Sequence, residues 1–215
     1  WGLPLWLGLF APQAKAVVLV GYGFGTSVTP TDAPSQQVPH ITASMFTLGA
    51  GLIDGGYAGG DGGRSRRATG WNGSFPSSTD YWGFTVTVNP GHTIDLTSLG
   101  FDEAIAMGNF AEWHLRTSLD GFNSIIAGGL MTPGFGPPGP IPAEHTVDLS
   151  SITNLTGSIE FRIYNSGFGQ ADATTPWRID NVRLEGNVNH IPEPSSLALI
   201  TGTGLLIGLV RRRRG

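Results

Sequence analysis

The chain contains no cysteine, which excludes disulfides and thiol chemistry and leaves the redox compartment undecided. Between Val17 and Pro194 it also contains no lysine. That body sets seven Arg against sixteen Asp and Glu, a net of −9 (7 − 16) that the overall −4 conceals. Without a basic face to neutralise phosphates, nucleic acid is excluded as a partner. An acidic surface fits soluble exported material or calcium binding. The five histidines, His40, His92, His114, His145 and His190, show no HExxH or other metal-ligand spacing, so no zinc centre is readable. No G-x-S-x-G elbow is present to carry a serine nucleophile. Long helices are excluded as well, because Gly 33 and Pro 15 punctuate a chain of 215 residues too often.

What remains suits many short strands joined by turns. With 40% apolar residues the chain can bury one good core, and a single β-domain of about 170 residues is expected. Val17 to Val20 reads as a first strand. The Gly21-Tyr22-Gly23-Phe24-Gly25 run after it only superficially suggests a nucleotide loop, since residues 29–39 are polar and proline-rich where a helix would be needed. Ile41 to Leu48 reads as the next strand and Gly49 to Gly63 as a glycine-dense loop holding Asp54 and Asp61. Its 55–63 stretch faintly resembles one calcium-binding glycine-aspartate repeat, and a single degenerate copy reads as a flexible loop.

The clearest strand is Tyr81 to Val88, where Trp82, Phe84, Val86 and Val88 alternate with Tyr81, Thr85 and Thr87. Asn89-Pro90-Gly91 turns the chain into an apolar-patterned segment from Ile94 to Phe101. Trp113, Leu115 and Thr117 alternate with Glu112, His114 and Arg116 before an Asp120-Gly121 turn. Residues 128–142, rich in Gly and Pro, read as a surface loop. Ile159, Phe161 and Ile163 mark another strand, and Trp177 to Leu184 a closing one.

Candidate site residues are few. Arg64, Arg66 and Arg67 form the body's one basic cluster, with Trp71 just beyond and Tyr57 before it. Such an Arg and aromatic surface could meet a sugar ring or an anionic polymer, or be a plain solvated loop. Strict alternation in the last strand puts Asp180 on the face of Val182 and Leu184; an inward carboxylate there needs a cation or a bulge that turns it out. Asp102, Glu103 and Glu112 are the carboxylates that glycoside hydrolysis would need as a pair about 5 to 9.5 Å apart. The expectation is that the protein is not an enzyme.

The two ends carry their own pattern. Trp1 to Phe10 is apolar and Ala14-Lys15-Ala16 has the small-x-small form of a signal-peptidase site, so residues 1–16 read as a signal peptide whose start is truncated. The sandwich domain is expected over 17–187 and a linker over 188–194 with Pro192-Glu193-Pro194. Ser195 to Val210 lacks charge and would reach roughly 24 Å as a helix, a short transmembrane span. Arg211, Arg212, Arg213 and Arg214 in the 211–215 tail mark the cytoplasmic side.

In order and spacing, Pro192-Glu193-Pro194, the apolar segment and the four arginines resemble the sorting tail of bacterial PEP-CTERM proteins. The resemblance implies an exosortase-type protease and signal peptidase as partners, transient anchoring in the inner membrane, and a final place in the cell envelope or outside. Residues 177–184 resemble the last strand of jelly-roll carbohydrate-binding modules. That likeness implies an antiparallel β-sandwich of jelly-roll type, and a structural calcium held by Asp180 with groups near the first strand. The function expected is a non-catalytic module that binds or organises extracellular polysaccharide. A structural matrix protein without a discrete ligand and a glycoside hydrolase stand as alternatives.

Overall fold

The computed structural model describes residues 16–26, 29–59, 64–71, 77–106, 112–134, 143–166 and 174–192. In chain order the strands are β1 (Val17–Tyr22), β2 (Gln36–Gln37), β3 (Ile41–Ala43), β4 (Thr47–Leu48), β5 (Ile53–Gly59), β6 (Arg64–Thr69) and β7 (Tyr81–Val88). They continue as β8 (His92–Ala106), β9 (Glu112–Thr117), β10 (Ala127–Leu130), β11 (Pro133–Gly134), β12 (Ala143–Asp148), β13 (Ser158–Ser166) and β14 (Trp177–His190), with a 3-10 turn at Ser118–Asp120. The larger sheet has the order β11-β8-β14-β1-β2, with β12 also on β8 and the β5–β6 hairpin on β14. The smaller has the order β10-β9-β13-β7-β3, with β4 also on β7. Pairing is antiparallel throughout except for β11, which runs parallel to β8 over two residues.

The alternating patterns build the core as the sequence predicts. Trp82, Phe84, Val86 and Val88 of β7 and Ile159, Phe161 and Ile163 of β13 line the inner face of the smaller sheet. Opposite them lie Ile94, Leu96, Leu99 and Phe101 of β8, Val182 and Leu184 of β14, and Val20 and Tyr22 of β1. Trp82 joins the sheets by packing against Trp71 and Trp177, with ring centroids 5.7 and 6.1 Å apart. Aromatic pairs in such tilted and edge-on arrangements contribute about 0.5–1.5 kcal/mol each beyond the area they bury. The protein is therefore all-β, with two antiparallel sheets face to face.

Several boundaries differ from expectation. The strand expected over 41–48 is two, β3 and β4, separated by residues 44–46, where the buried Phe46 turns inward. The glycine-dense loop is largely β5, whose ladder to β6 runs from Ile53↔Thr69 to Gly59↔Arg64. The loop expected over 128–142 begins with β10 and β11; residues 135–142 lie outside the described residues. The final strand runs on to His190, taking in residues assigned to the linker, and Ile191 N–H still bonds Gly91 O at 2.8 Å. Being flanked by β8 on one side and by β6 and β1 on the other, β14 is central. Among the described residues no helix is long and apolar enough to cross a membrane. All of the expected leader over residues 1–16 except Ala16, the span from Ser195 to Val210, and Glu193, Pro194 and Arg211 to Arg214 lie outside the described residues.

Candidate functional site

Of the ligand surface expected at Tyr57, Arg66, Arg67 and Trp71, the structure buries Trp71 and Arg66 and leaves Tyr57 and Arg67 half-buried. Trp71 is 2% exposed; its ring stands 4.8 Å from that of Trp177 and its indole N–H bonds Ala68 O at 3.1 Å. No face is left for a sugar. Arg66, 5% exposed, donates to both carboxylate oxygens of Asp54 at 2.5 and 2.9 Å and pairs with Asp32 at 2.9 Å. Its guanidinium lies over the Tyr57 ring, whose hydroxyl hydrogen-bonds Asp32. Hydrogen bonding from Arg66 holds the Asp54 carboxyl below its ordinary value, whereas burial pushes that of Asp32 up. Arg67 donates twice to Gly55 O. These contacts fasten the β5–β6 hairpin, because its Gly-rich ladder has little apolar surface of its own.

The acidic residues considered for hydrolysis are likewise separated. Glu112 is on β9 of the smaller sheet, and Asp102 is on β8 of the larger. Glu103 points into the core, 0% exposed, where its oxygens accept Thr132 N–H at 2.6 Å, the His145 ring nitrogen at 3.1 Å and Trp177 Nε1–H at 3.0 Å. Three donors around one buried carboxylate satisfy it in place, joining β8 to β12, β14 and the chain before β11.

At Asp180 the structure takes the second of the two routes foreseen, a bulge. The β14 ladder to β8 shifts register between Asp180 and Arg183, and Asn181 sits at φ 47. Two residues therefore lie between the inward Ile179 and the inward Val182, and Asp180 is lifted to the outer face beside Asp102. It stays 1% exposed, with Oδ1 accepting Asn181 N–H at 2.8 Å. Burial lowers the neighbouring Arg178 guanidinium below its ordinary value, with Arg67 adding to this and Asp180 opposing it. Among the described residues no three His, Asp or Glu side chains gather as a metal cluster. The bulge, with Asn181 N–H and Arg178 beside it, places Asp180 on the outer face.

The same bulge opens a groove that sequence reasoning missed. Glu144 of β12 stands opposite Asp102 of β8, Asp102 opposite Asp180 of β14, Arg183 opposite both Gly100 and Gly21, and Gly21 opposite Gln36 of β2. From this row Glu144, Asp102, Arg183, Gly21 and Gln36, one from each of five strands of the larger sheet, line a groove of about 430 Å³ together with Ser35 and Asn181. Its polar groups hold one another: Asn181 Nδ2 donates to Asp102 at 2.6 Å, and Arg183 Nη2 is ion-paired to Glu144. The floor depends on glycine. A Cβ on Gly100 would stand 2.7 Å from the Arg183 guanidinium carbon, so that guanidinium can lie flat over the strand only while the position is bare. The detectable sequence signal was the broken alternation around Asn181; Glu144 carried none.

The outer face of the smaller sheet is different. Arg162 is sandwiched between Tyr81 and Phe122, 4.0 and 3.9 Å from their ring centroids, with Nε bonded to Glu160 at 2.6 Å. The stacking faces there are already occupied by the protein's own guanidinium.

The sequence matches no protein-family model and no curated protein. Among solved structures it is similar to the K3 cleaved adhesin domain of Lys-gingipain from Porphyromonas gingivalis W83, at 12% identity over 80% of this chain and 99% of that one, with a TM-score of 0.43. It is also similar to the mannan-recognising carbohydrate-binding module TmCBM27, at 13% identity over 81% and 99%, TM-score 0.38. A family 11 carbohydrate-binding module from Clostridium thermocellum overlaps at 13% identity over 78% and 96%, TM-score 0.34. At this looseness the likenesses decide neither a ligand nor a site.

Proposed function

We propose that the body is a non-catalytic module that binds an extended polyhydroxylated chain, an extracellular polysaccharide, along the groove of the larger sheet. The observation that carries this reading is the transverse row of Glu144, Asp102, Asn181, Arg183 and Gln36 over a glycine floor. Planar amide, carboxylate and guanidinium groups offer donors and acceptors in fixed places, which is what vicinal hydroxyls require. They are oriented before a ligand arrives, so little side-chain entropy is lost on binding. We place no calcium in the groove, and capture of polysaccharide is expected to be independent of it. The mixed charges of Asp102, Glu144 and Arg183 within an acidic body favour a neutral polymer over a uronate.

The reading includes delivery. Pro192-Glu193-Pro194, the apolar segment Ser195 to Val210 and Arg211 to Arg214 would present the chain to an exosortase-type protease after export, with release to the envelope or the exterior. In support, the last strand ends at His190 and Pro192 is exposed, so the motif begins where the sheet stops.

A polysaccharide array probed with the full chain, with calcium and then with chelator, tests the binding. Capture of a neutral polymer class in both conditions, lost in Arg183→Ala, is expected. Capture that survives Arg183→Ala and Asn181→Ala together would remove the groove from the account. For sorting, co-expression with an exosortase should shorten the chain at its tail, and replacing Pro192, Glu193 and Pro194 by alanine should prevent it.

A further inference from the structure

The bulge at Asn181 has a counterpart on the neighbouring strand. In the ladder between β8 and β14, Ser98 stands opposite Glu185 and Leu96 opposite Gly186, so Thr97 is an extra residue of β8. Leu96 and Leu99 on either side belong to the core, which leaves Thr97 and Ser98 on the outer face, as Asp180 and Asn181 are on β14. Both irregularities push a pair of polar side chains out of the same sheet in the same direction, and beside each the surface is hollow. The second hollow is a pocket of about 330 Å³, at the lower end of the roughly 300–1,000 Å³ of small-molecule sites. Asp95, Thr97, Ser150, Thr153, Asn187 and Asn189 line it.

The walls of this pocket are set in advance. Asp95 Oδ1 accepts Asn154 N–H and Oδ2 accepts Asn189 Nδ2, each at 2.7 Å, which fixes the carboxylate plane. The chain after β12 is laced to β8 by Leu149 N–H to Thr97 O and Leu96 N–H to Ile152 O, both at 2.9 Å, and this holds Ser150 and Thr153 at the rim. Two groups are uncommitted. Among the described residues the Asn187 side-chain amide makes no hydrogen bond, and the Thr97 hydroxyl is enclosed without a partner.

We propose that this pocket is a second sugar subsite, filled by the polymer segment that leaves the groove along β14. The inference rests on the reading of the groove as a polysaccharide site. Carboxylate, amide and hydroxyl groups around a small hollow suit vicinal hydroxyls, each of which both donates and accepts. The one charged side chain among them is Asp95, which repels a uronate and admits a neutral sugar. Between the two hollows the outward residues are polar: Arg183, Glu185 and Asn187 on β14, Thr97 and Ser98 on β8, with Ser98 Oγ donating to Glu185 at 2.9 Å. Arg183 and Asn187 are four residues apart, roughly 13 Å at ~3.3 Å per residue, a distance that a polymer spans and one sugar does not. Two weak subsites on one face act on a single polymer as linked sites, so affinity grows with the length of the chain bound.

The test is affinity electrophoresis of the full chain through gels of dextran, glucomannan and xyloglucan, followed by calorimetry with soluble fragments of the polymer that retards it. Asn187→Ala and Thr153→Ala should each weaken retardation about tenfold. Both should melt with the parent, because neither side chain holds another element in place. The effect should depend on length: fragments of about eight sugars should bind the parent at least tenfold more tightly than Asn187→Ala, and disaccharides should bind the two within about twofold. Retardation that is lost in Arg183→Ala and unchanged in Asn187→Ala and Thr153→Ala overturns the second subsite and leaves the groove standing. No retardation of the parent by any of these polymers overturns both.

Discussion

At the scale of single residues, Arg66 shows how chemistry that looks functional in one dimension becomes structural in three. Its guanidinium is nearly enclosed and bridges Asp32 and Asp54. Removing one partner of a buried pair leaves the other charge uncompensated, so Arg66→Ala should cost about 3 kcal/mol in a urea melt. A loss under about 0.5 kcal/mol would place that pair among weak surface pairs. The acid limb of stability has a defined sign. Because Arg66 lowers the folded-state pKa of Asp54, this pair's contribution is complete above the ordinary carboxylate value and fades below about pH 4 as Asp54 protonates. Asp32, raised by burial, acts in the opposite sense. Asp54→Asn should therefore flatten the decline in melting temperature between about pH 4 and pH 2; an unchanged slope would contradict the assignment. Glu103 gives a sharper case. A glutamine there has one acceptor oxygen where two oxygens now serve Thr132, His145 and Trp177, and Glu103→Gln should destabilise by about 1–3 kcal/mol by leaving a buried donor unpaired.

At the scale of elements, legibility followed the source of stability. β7 and β13 could be read directly because each has one apolar face, and burial follows their alternation residue by residue. β5 and β6 could not. Their residues, Asp54-Gly55-Gly56-Tyr57 and Arg64-Ser65-Arg66-Arg67, carry no apolar period, and what makes them strands is a ladder completed by long-range ion pairs. Trp71 was misplaced for a related reason: its burial is decided by Trp82 and Trp177, far away in sequence. The groove lay half in view. Broken alternation at Asp180 announced an irregularity, but the partners across five strands depend on register, which periodicity does not reveal. Deleting Asn181 should remove the extra residue and restore strict alternation with Asp180 still outward between the inward Ile179 and Val182, so the melt should stay cooperative while the Asn181–Asp102 hydrogen bond is lost. Asn181→Gly, which accepts φ 47 easily, should melt near the parent. Because the bulge accounts for Asp180, adding calcium to chelator-treated protein should leave the melting temperature unchanged. A rise that Asp180→Ala removes would return calcium to the structure.

At the scale of the whole molecule, the two faces of the sandwich divide the work. The smaller sheet fills its own outer aromatic faces with Arg162, whereas the larger keeps a polar row bare over glycine. The far end gathers three histidines where the chain departs toward the sorting motif. The most direct measurement of the central claim is affinity electrophoresis of the full chain and of Gly100→Ala through gels containing neutral polysaccharides. The substitution adds one methyl group beneath the Arg183 guanidinium and alters no donor or acceptor. The account predicts retardation of the parent by a neutral polymer and a loss of about tenfold in affinity for Gly100→Ala, equivalent to the roughly 1.4 kcal/mol of one well-placed hydrogen bond. Equal retardation of both proteins would contradict it.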